Sequence, residues 1–84
     1  PRVLEALPVT VPDATCRRAR ELARLADDNP AFTGSRGAIA AGSVYLASEE
    51  TGKRLNQATV AEAASVSTHS LRRWYQQLQS IVEA

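Results

Sequence analysis

Apolar positions along this chain recur at spacings of three and four, and no run alternates with the period of two that marks a half-buried strand. The pattern predicts an all-α fold, with proline and glycine dividing it into helical blocks. Residues 1–7 read as the end of a helix, and Pro8 and Pro12 bracket a short link. Pro12 suits a first helical turn, where its missing N–H costs nothing. The helix predicted there runs over 12–28, with Ala19, Leu22, Leu25 and Ala26 inward and Arg17, Arg20, Arg24 and Asp28 outward. Pro30 stops it, because the residue before a proline avoids the helical region. Residues 32–34 form a linker, and Ser35 is a good N-cap for a third helix.

That third helix is apolar on nearly every side over 38–47, so it must be buried all round. Its alanines and glycines let neighbours approach closely, which makes it the expected centre of a bundle, ended by Gly52. Asn56 caps a fourth helix over 57–64, with Val60, Ala61 and Ala64 inward. A fifth begins at a Ser67 or Thr68 cap and runs to about residue 82. Leu71, Tyr75, Leu78 and Val82 form its expected buried stripe, leaving Thr68, His69, Arg72, Arg73 and Gln76 on other faces.

The last two helices carry the candidate chemistry. Ala61, Ser65, Val66, Leu71 and Trp74 fall where a helix-turn-helix keeps its small, turn and core residues, and the second helix of such a pair can enter a DNA major groove. Ser65 stands where the turn favours a left-handed glycine, and a residue with a Cβ pays of order 1 kcal/mol there.

Composition changes the picture in three ways. At 84 residues the chain is one small domain with a single core. The one cysteine, Cys16, excludes an internal disulfide and a zinc finger within the chain, and reads as a small half-buried residue. Net charge is only +1, but Lys53, Arg54, Arg72 and Arg73 face just Glu62 and Glu83 over residues 51–84, so the excess sits on the motif. No stretch approaches a membrane span, and the opening PRVLEALP lacks the apolar run of a secretory signal. The absence of methionine leads us to expect a fragment of a longer chain with further domains upstream.

The stretch from Gly37 to Ala47, GAIAAGSVYLA, resembles the central cyclin-box helix of archaeal transcription initiation factor B and of its eukaryotic counterpart, TFIIB. Gly52, Arg54, Gln57, Val60, Ala61, Glu62, Val66, Ser67, Leu71, Arg72, Tyr75 and Leu78 continue the family's order and spacing. The resemblance spans nearly the whole chain and is nearer to the second of the family's two cyclin-like repeats, through the closing Arg-x-x-Tyr-x-x-Leu pattern. It implies a five-helix cyclin-like fold over 1–84 with a central buried helix and a C-terminal helix-turn-helix over 56–82.

It also implies a function: binding of double-stranded promoter DNA beside the TATA box, together with the TATA-binding protein, and recruitment of RNA polymerase. The implied setting is the archaeal cytoplasm, at the nucleoid, or the nucleus in a eukaryote. By position, His69 and Arg72 fall where family members contact bases, while Arg54, Asn56 and Gln57 fall where phosphates are contacted. The chain departs from the family at His69, usually a small aliphatic residue; at Asn56, commonly Thr; at Leu55, commonly basic; and at Trp74, usually smaller.

Chemistry agrees with that assignment. An arginine fork donates two hydrogen bonds to guanine O6 and N7, worth roughly 1–3 kcal/mol of discrimination. Arg72 lies three residues beyond His69 on the same helix face, and Arg73 joins them as a candidate base contact. Lys53, Arg54, Asn56, Gln57, Ser67, Thr68 and Gln76 are the candidate phosphate contacts, which orient a protein without reading sequence. Each has an ordinary competitor. Arg72, Arg73 and the second basic cluster Arg17, Arg18 and Arg20 could be solvated faces, His69 a plain exposed polar residue, and Trp74 interhelical packing. Lys53 and Arg54 could simply complement the end of the third helix.

The alternative function is a cyclin-like protein-interaction module with little DNA binding, its partner held along the second and third helices. An enzyme is not expected, since no paired carboxylates, activated nucleophile, phosphate loop or metal-ligand cluster stands out. No cofactor, small-molecule substrate or membrane is expected either.

Overall fold

In the computed structural model, which describes residues 2–83, five helices follow one another: α1 Arg2–Ala6, α2 Asp13–Asp27, α3 Arg36–Glu50, α4 Gln57–Ala63 and α5 Thr68–Glu83. The described residues contain no strand, so the fold is all-α as the periodicity requires. Pro1, part of the first expected helix, lies outside the described residues.

α3 is the axis. Each of the other helices packs against it, and Ala38, Ala41, Gly42, Ser43, Val44, Leu46, Ala47 and Ser48 are all buried. Its internal hydroxyls are satisfied locally: Ser43 Oγ donates to the Ile39 carbonyl at 2.9 Å and Ser48 Oγ to that of Tyr45 at 2.6 Å. Such bonding to the preceding turn lets a serine sit in the core without an orphaned polar atom. Ser35 Oγ accepts from Ala38 N at 3.1 Å, the expected cap, and Gly52 ends the helix at φ +80, a conformation cheap only for glycine.

α2 runs antiparallel to α3, and two contacts near its start bind it to the end of α3. Thr51 Oγ1 donates to the Ala47 carbonyl at 2.8 Å, so the 2.6 Å bond between Thr51 and the fully buried Thr15 must be donated by Thr15. Arg18 Nε meets Glu50 Oε1 at 2.6 Å. The buried stripe of α2 is therefore Thr15, Ala19, Leu22 and Ala26. Leu25, expected inward, is 44% exposed, because its spacing from Leu22 puts it at the edge of the stripe, beyond the cover of α3. Pro12 stands one place earlier than expected, as the residue before the first turn, its carbonyl accepting from Cys16 N at 3.1 Å.

α5 crosses α3 at Gly42, where a Cβ would stand 2.8 Å from Tyr75 N and 3.1 Å from Trp74 C. Leu71, Trp74 and Leu78 are its buried residues. Tyr75, expected in that stripe, is half-buried instead: its ring meets Tyr45 edge-on at 4.9 Å and its hydroxyl donates to the Glu49 carboxylate. Desolvation first, and then the bond to Glu49, push the phenol up to about 12. Val82, also expected inside, is 36% exposed, because it lines an open cleft with Leu46, Glu49 and Glu50 near the end of α3. The core is completed by Val60 and Ala61 of α4, by Val3 of α1 and Leu7 just after it, and by Leu55.

The turn between α4 and α5 closes by two bonds, Ser65 N to Glu62 O at 3.0 Å and Val66 N to Ala61 O at 2.9 Å. This is the Schellman pairing, with Ser65 in the left-handed position at φ 58 and half-buried Val66 folded back toward Ala61. Ser65→Gly is expected to stabilise the fold by about 0.5–1 kcal/mol, net of the extra freedom glycine brings to the unfolded chain. Thermal melting followed by circular dichroism should then show a rise of about 3–6 °C. A fall would mean that the serine side chain itself holds the turn.

Candidate nucleic-acid interface

The exposed face of α5 is built by the burial of its opposite side. With Leu71, Trp74 and Leu78 turned into the core, His69, Arg72, Arg73 and Gln76 come together on the outer face, and all are exposed. From His69 to Gln76 the helix rises about 10 Å, about the length of three base-pair steps. Ser67 Oγ accepts from Ser70 N at 3.1 Å and so caps α5, which leaves Ser67 exposed and Thr68 half-buried at its start.

α4 supplies the second wall. Asn56 Oδ1 accepts from Ala58 N at 2.8 Å and Thr59 N at 3.3 Å, the expected cap. Because the amide oxygen is used in this way, the Asn56 NH2 group is the end left to donate outward. Gln57, half-buried, reaches across the turn: its Oε1 accepts from Arg72 Nε at 3.1 Å. The sequence placed both residues at the site without showing that they touch, since the bond depends on how α4 and α5 cross.

The remaining candidates divide. Arg73 lies with its guanidinium 5.1 Å from the centroid of the Trp74 ring, a cation–π distance. Trp74 itself is 4% exposed, stacks obliquely on Phe32 at 5.4 Å and leaves no room for a side chain at Gly34, so it is interhelical packing. Arg54 is exposed and Lys53 half-buried in the segment after Gly52. Leu55, where the family commonly has a basic residue, is 8% exposed and ties that segment to the core. The second basic cluster is split, with Arg18 engaged by Glu50 and Glu21 while Arg17 and Arg20 are exposed. Cys16 is half-buried, with its thiol 3.8 Å from the Val11 carbonyl.

Two other properties bear on the site. Among the described residues no group of three or more His, Cys, Asp and Glu is placed to hold a metal ion, and no helix is long and apolar enough to cross a membrane. A shallow cleft lies between the ends of α3 and α5, lined by Leu46, Glu49, Glu50, Gln79, Val82 and Glu83, and a second lies between α1 and α4, lined by Ala6, Pro8, Thr59, Glu62 and Ala63.

The class the fold defines is an all-α bundle built on a buried central helix and ending in a helix-turn-helix, whose second helix carries an exposed arginine-bearing face. The comparison with known families makes this specific. The model described as the transcription factor TFIIB repeat matches residues 5–81, and the chain belongs to that family, as a cyclin-like domain of the transcription-factor type. No curated protein matches the chain.

Proposed function

We propose that this chain is the DNA-reading repeat of a TFIIB-like transcription initiation factor, the second of the family's two. α5 enters the major groove of duplex promoter DNA beside the TATA box, and the repeat acts with the TATA-binding protein to help recruit RNA polymerase. The observation that carries the reading is the exposed His69, Arg72, Arg73 and Gln76 face of α5 within a TFIIB repeat. Arg72 reads guanine and His69 the neighbouring base. Arg73 contributes charge from beside Trp74, while Lys53, Arg54, Asn56, Gln57, Ser67, Thr68 and Gln76 meet phosphates. The domain carries out no catalysis in this role.

The test compares wild type and Arg72→Ala on a duplex selected from a random pool and on a scrambled one, at several salt concentrations. Wild type should prefer the selected duplex and weaken as salt rises, because phosphate contacts release counterions. Arg72→Ala should lose about 1–3 kcal/mol of preference. Equal, very weak affinity in all four combinations would sink the reading. It would favour a protein-interaction module, with the cleft between α3 and α5 as the place to look for a partner.

A further inference from the structure

The bond between Gln57 and Arg72 joins residues on different helices, and its chemistry fixes the state of both side chains. Arg72 Nε carries a hydrogen and can only donate, so the amide oxygen of Gln57 must face it at 3.1 Å. The Gln57 NH2 group is then the end turned away from Arg72, and it can only donate. Among the described residues neither Nη of Arg72 has a hydrogen-bond or ion-pair partner, although Glu62 lies on the adjoining α4. With Nε occupied, the one paired donor set left on Arg72 is the two terminal Nη groups, which match guanine O6 and N7 end-on.

We infer that Gln57 is a positioning residue that aims the Arg72 fork at guanine and, through its free NH2 group, ties that aim to a phosphate of the same duplex. An exposed arginine side chain loses about 2 kcal/mol of rotamer freedom when it is fixed. A partner that restrains the guanidinium before binding removes part of that cost from the DNA complex. A phosphate oxygen bonded to the Gln57 NH2 group would hold the amide in the orientation Arg72 needs, so the backbone contact and the base contact reinforce each other. The inference rests on the DNA-reading role proposed above and gives Gln57 a part in specificity as well as in affinity.

The experiment uses the intact chain and the duplex selected from a random pool, with each guanine replaced in turn by 7-deazaguanine, which lacks the N7 acceptor. Wild type should lose about tenfold in affinity at one guanine, the equivalent of one good base contact. Arg72→Ala should be indifferent to that replacement. Gln57→Ala should lose less than about threefold on it, because the fork is no longer aimed. Gln57→Glu keeps an acceptor for Nε while losing the donor to phosphate, so it should bind every duplex more weakly yet retain the tenfold sensitivity. If Gln57→Ala shows the full wild-type sensitivity, Gln57 does not aim Arg72 and the inference is overturned while the DNA reading stands. Wild type insensitive at every guanine would overturn both. Should Gln57→Ala melt far below wild type, Gln57→Glu decides alone: sensitivity as low as that of Arg72→Ala overturns the inference.

Discussion

Gly42→Val is expected to destabilise this repeat by about 3 kcal/mol or more, at or beyond the upper end of ordinary overpacking. The reason is what the new side chain would meet. A Cβ at Gly42 already stands 2.8 Å from Tyr75 N and 3.1 Å from Trp74 C, and both are backbone atoms of α5. A flexible side chain could swing away, whereas backbone held by a helix can yield only by moving the whole helix. Valine adds two further methyl groups at a position 1.5 Å per residue along the axis from buried Ala41 and Ser43. A domain of this size is stable by about 4–12 kcal/mol, so the loss is a large share of the total. Thermal melting should fall by about 12 °C or more. Gly42→Ala serves as the graded control. Its gain of about 1 kcal/mol in helix propensity opposes the same contact, so it should lie between wild type and valine. A valine variant that melts within a few degrees of wild type would show that α5 is free to shift on α3.

The consequence reaches the site because α5 is both the wall of the core and the carrier of Arg72. A separation of α5 from α3 also changes how α5 sits on α4, and with it the span that Gln57 Oε1 must cover to reach Arg72 Nε, now 3.1 Å. Close packing at Gly42 thus bears on the geometry of Arg72, an exposed side chain only a few positions along α5 from the Trp74 and Tyr75 backbone that Gly42 meets.

Much of this architecture was legible in the chain because it rests on local rules. The all-round apolar run over 38–47 could be only a buried helix, and Ser35, Asn56 and Ser67 cap α3, α4 and α5 through side-chain oxygens as their residue types suggest. The exposed face of α5 followed from its periodicity, and the left-handed turn at Ser65 from the spacing of Ala61, Ser65 and Val66. Features set by how two helices meet were not legible. Trp74 and Tyr75 are neighbours that both lie within the reach of a three-and-four pattern. The choice between them as the buried ring was made by Phe32, Gly34 and Glu49, none of which is near them in sequence. The Thr15 to Thr51 bond and the Gln57 to Arg72 bond have the same character, since each joins polar residues whose types are unremarkable alone.

Leu25 and Leu71 make the same point as a measurable contrast. Both are leucines at helical spacing within amphipathic helices, and the apolar pattern alone ranks them as equals. Leu71 is 0% exposed within the core cluster that includes Val44, Val60 and Ala61, whereas Leu25 is 44% exposed. Leu71→Ala is therefore expected to cost about 2–5 kcal/mol, the lost transfer energy plus the cavity left between α5 and its neighbours. Leu25→Ala, with no comparable cavity to open, is expected to stay within about 0.5 kcal/mol. Denaturant unfolding of the two variants under one set of conditions gives the difference directly, with unchanged slopes confirming that stability alone has moved. Equal losses would mean that a further partner or segment covers Leu25 in solution. Leu71 is also the residue before Arg72, so its cavity opens directly beneath the reading face of α5. At a temperature where Leu71→Ala remains folded, preference for the selected duplex should still fall, because a helix that rocks over a void no longer holds the Arg72 fork at one height above the base edges. Undiminished preference in the folded variant would show that the bond to Gln57 is enough to place Arg72 without the core beneath it.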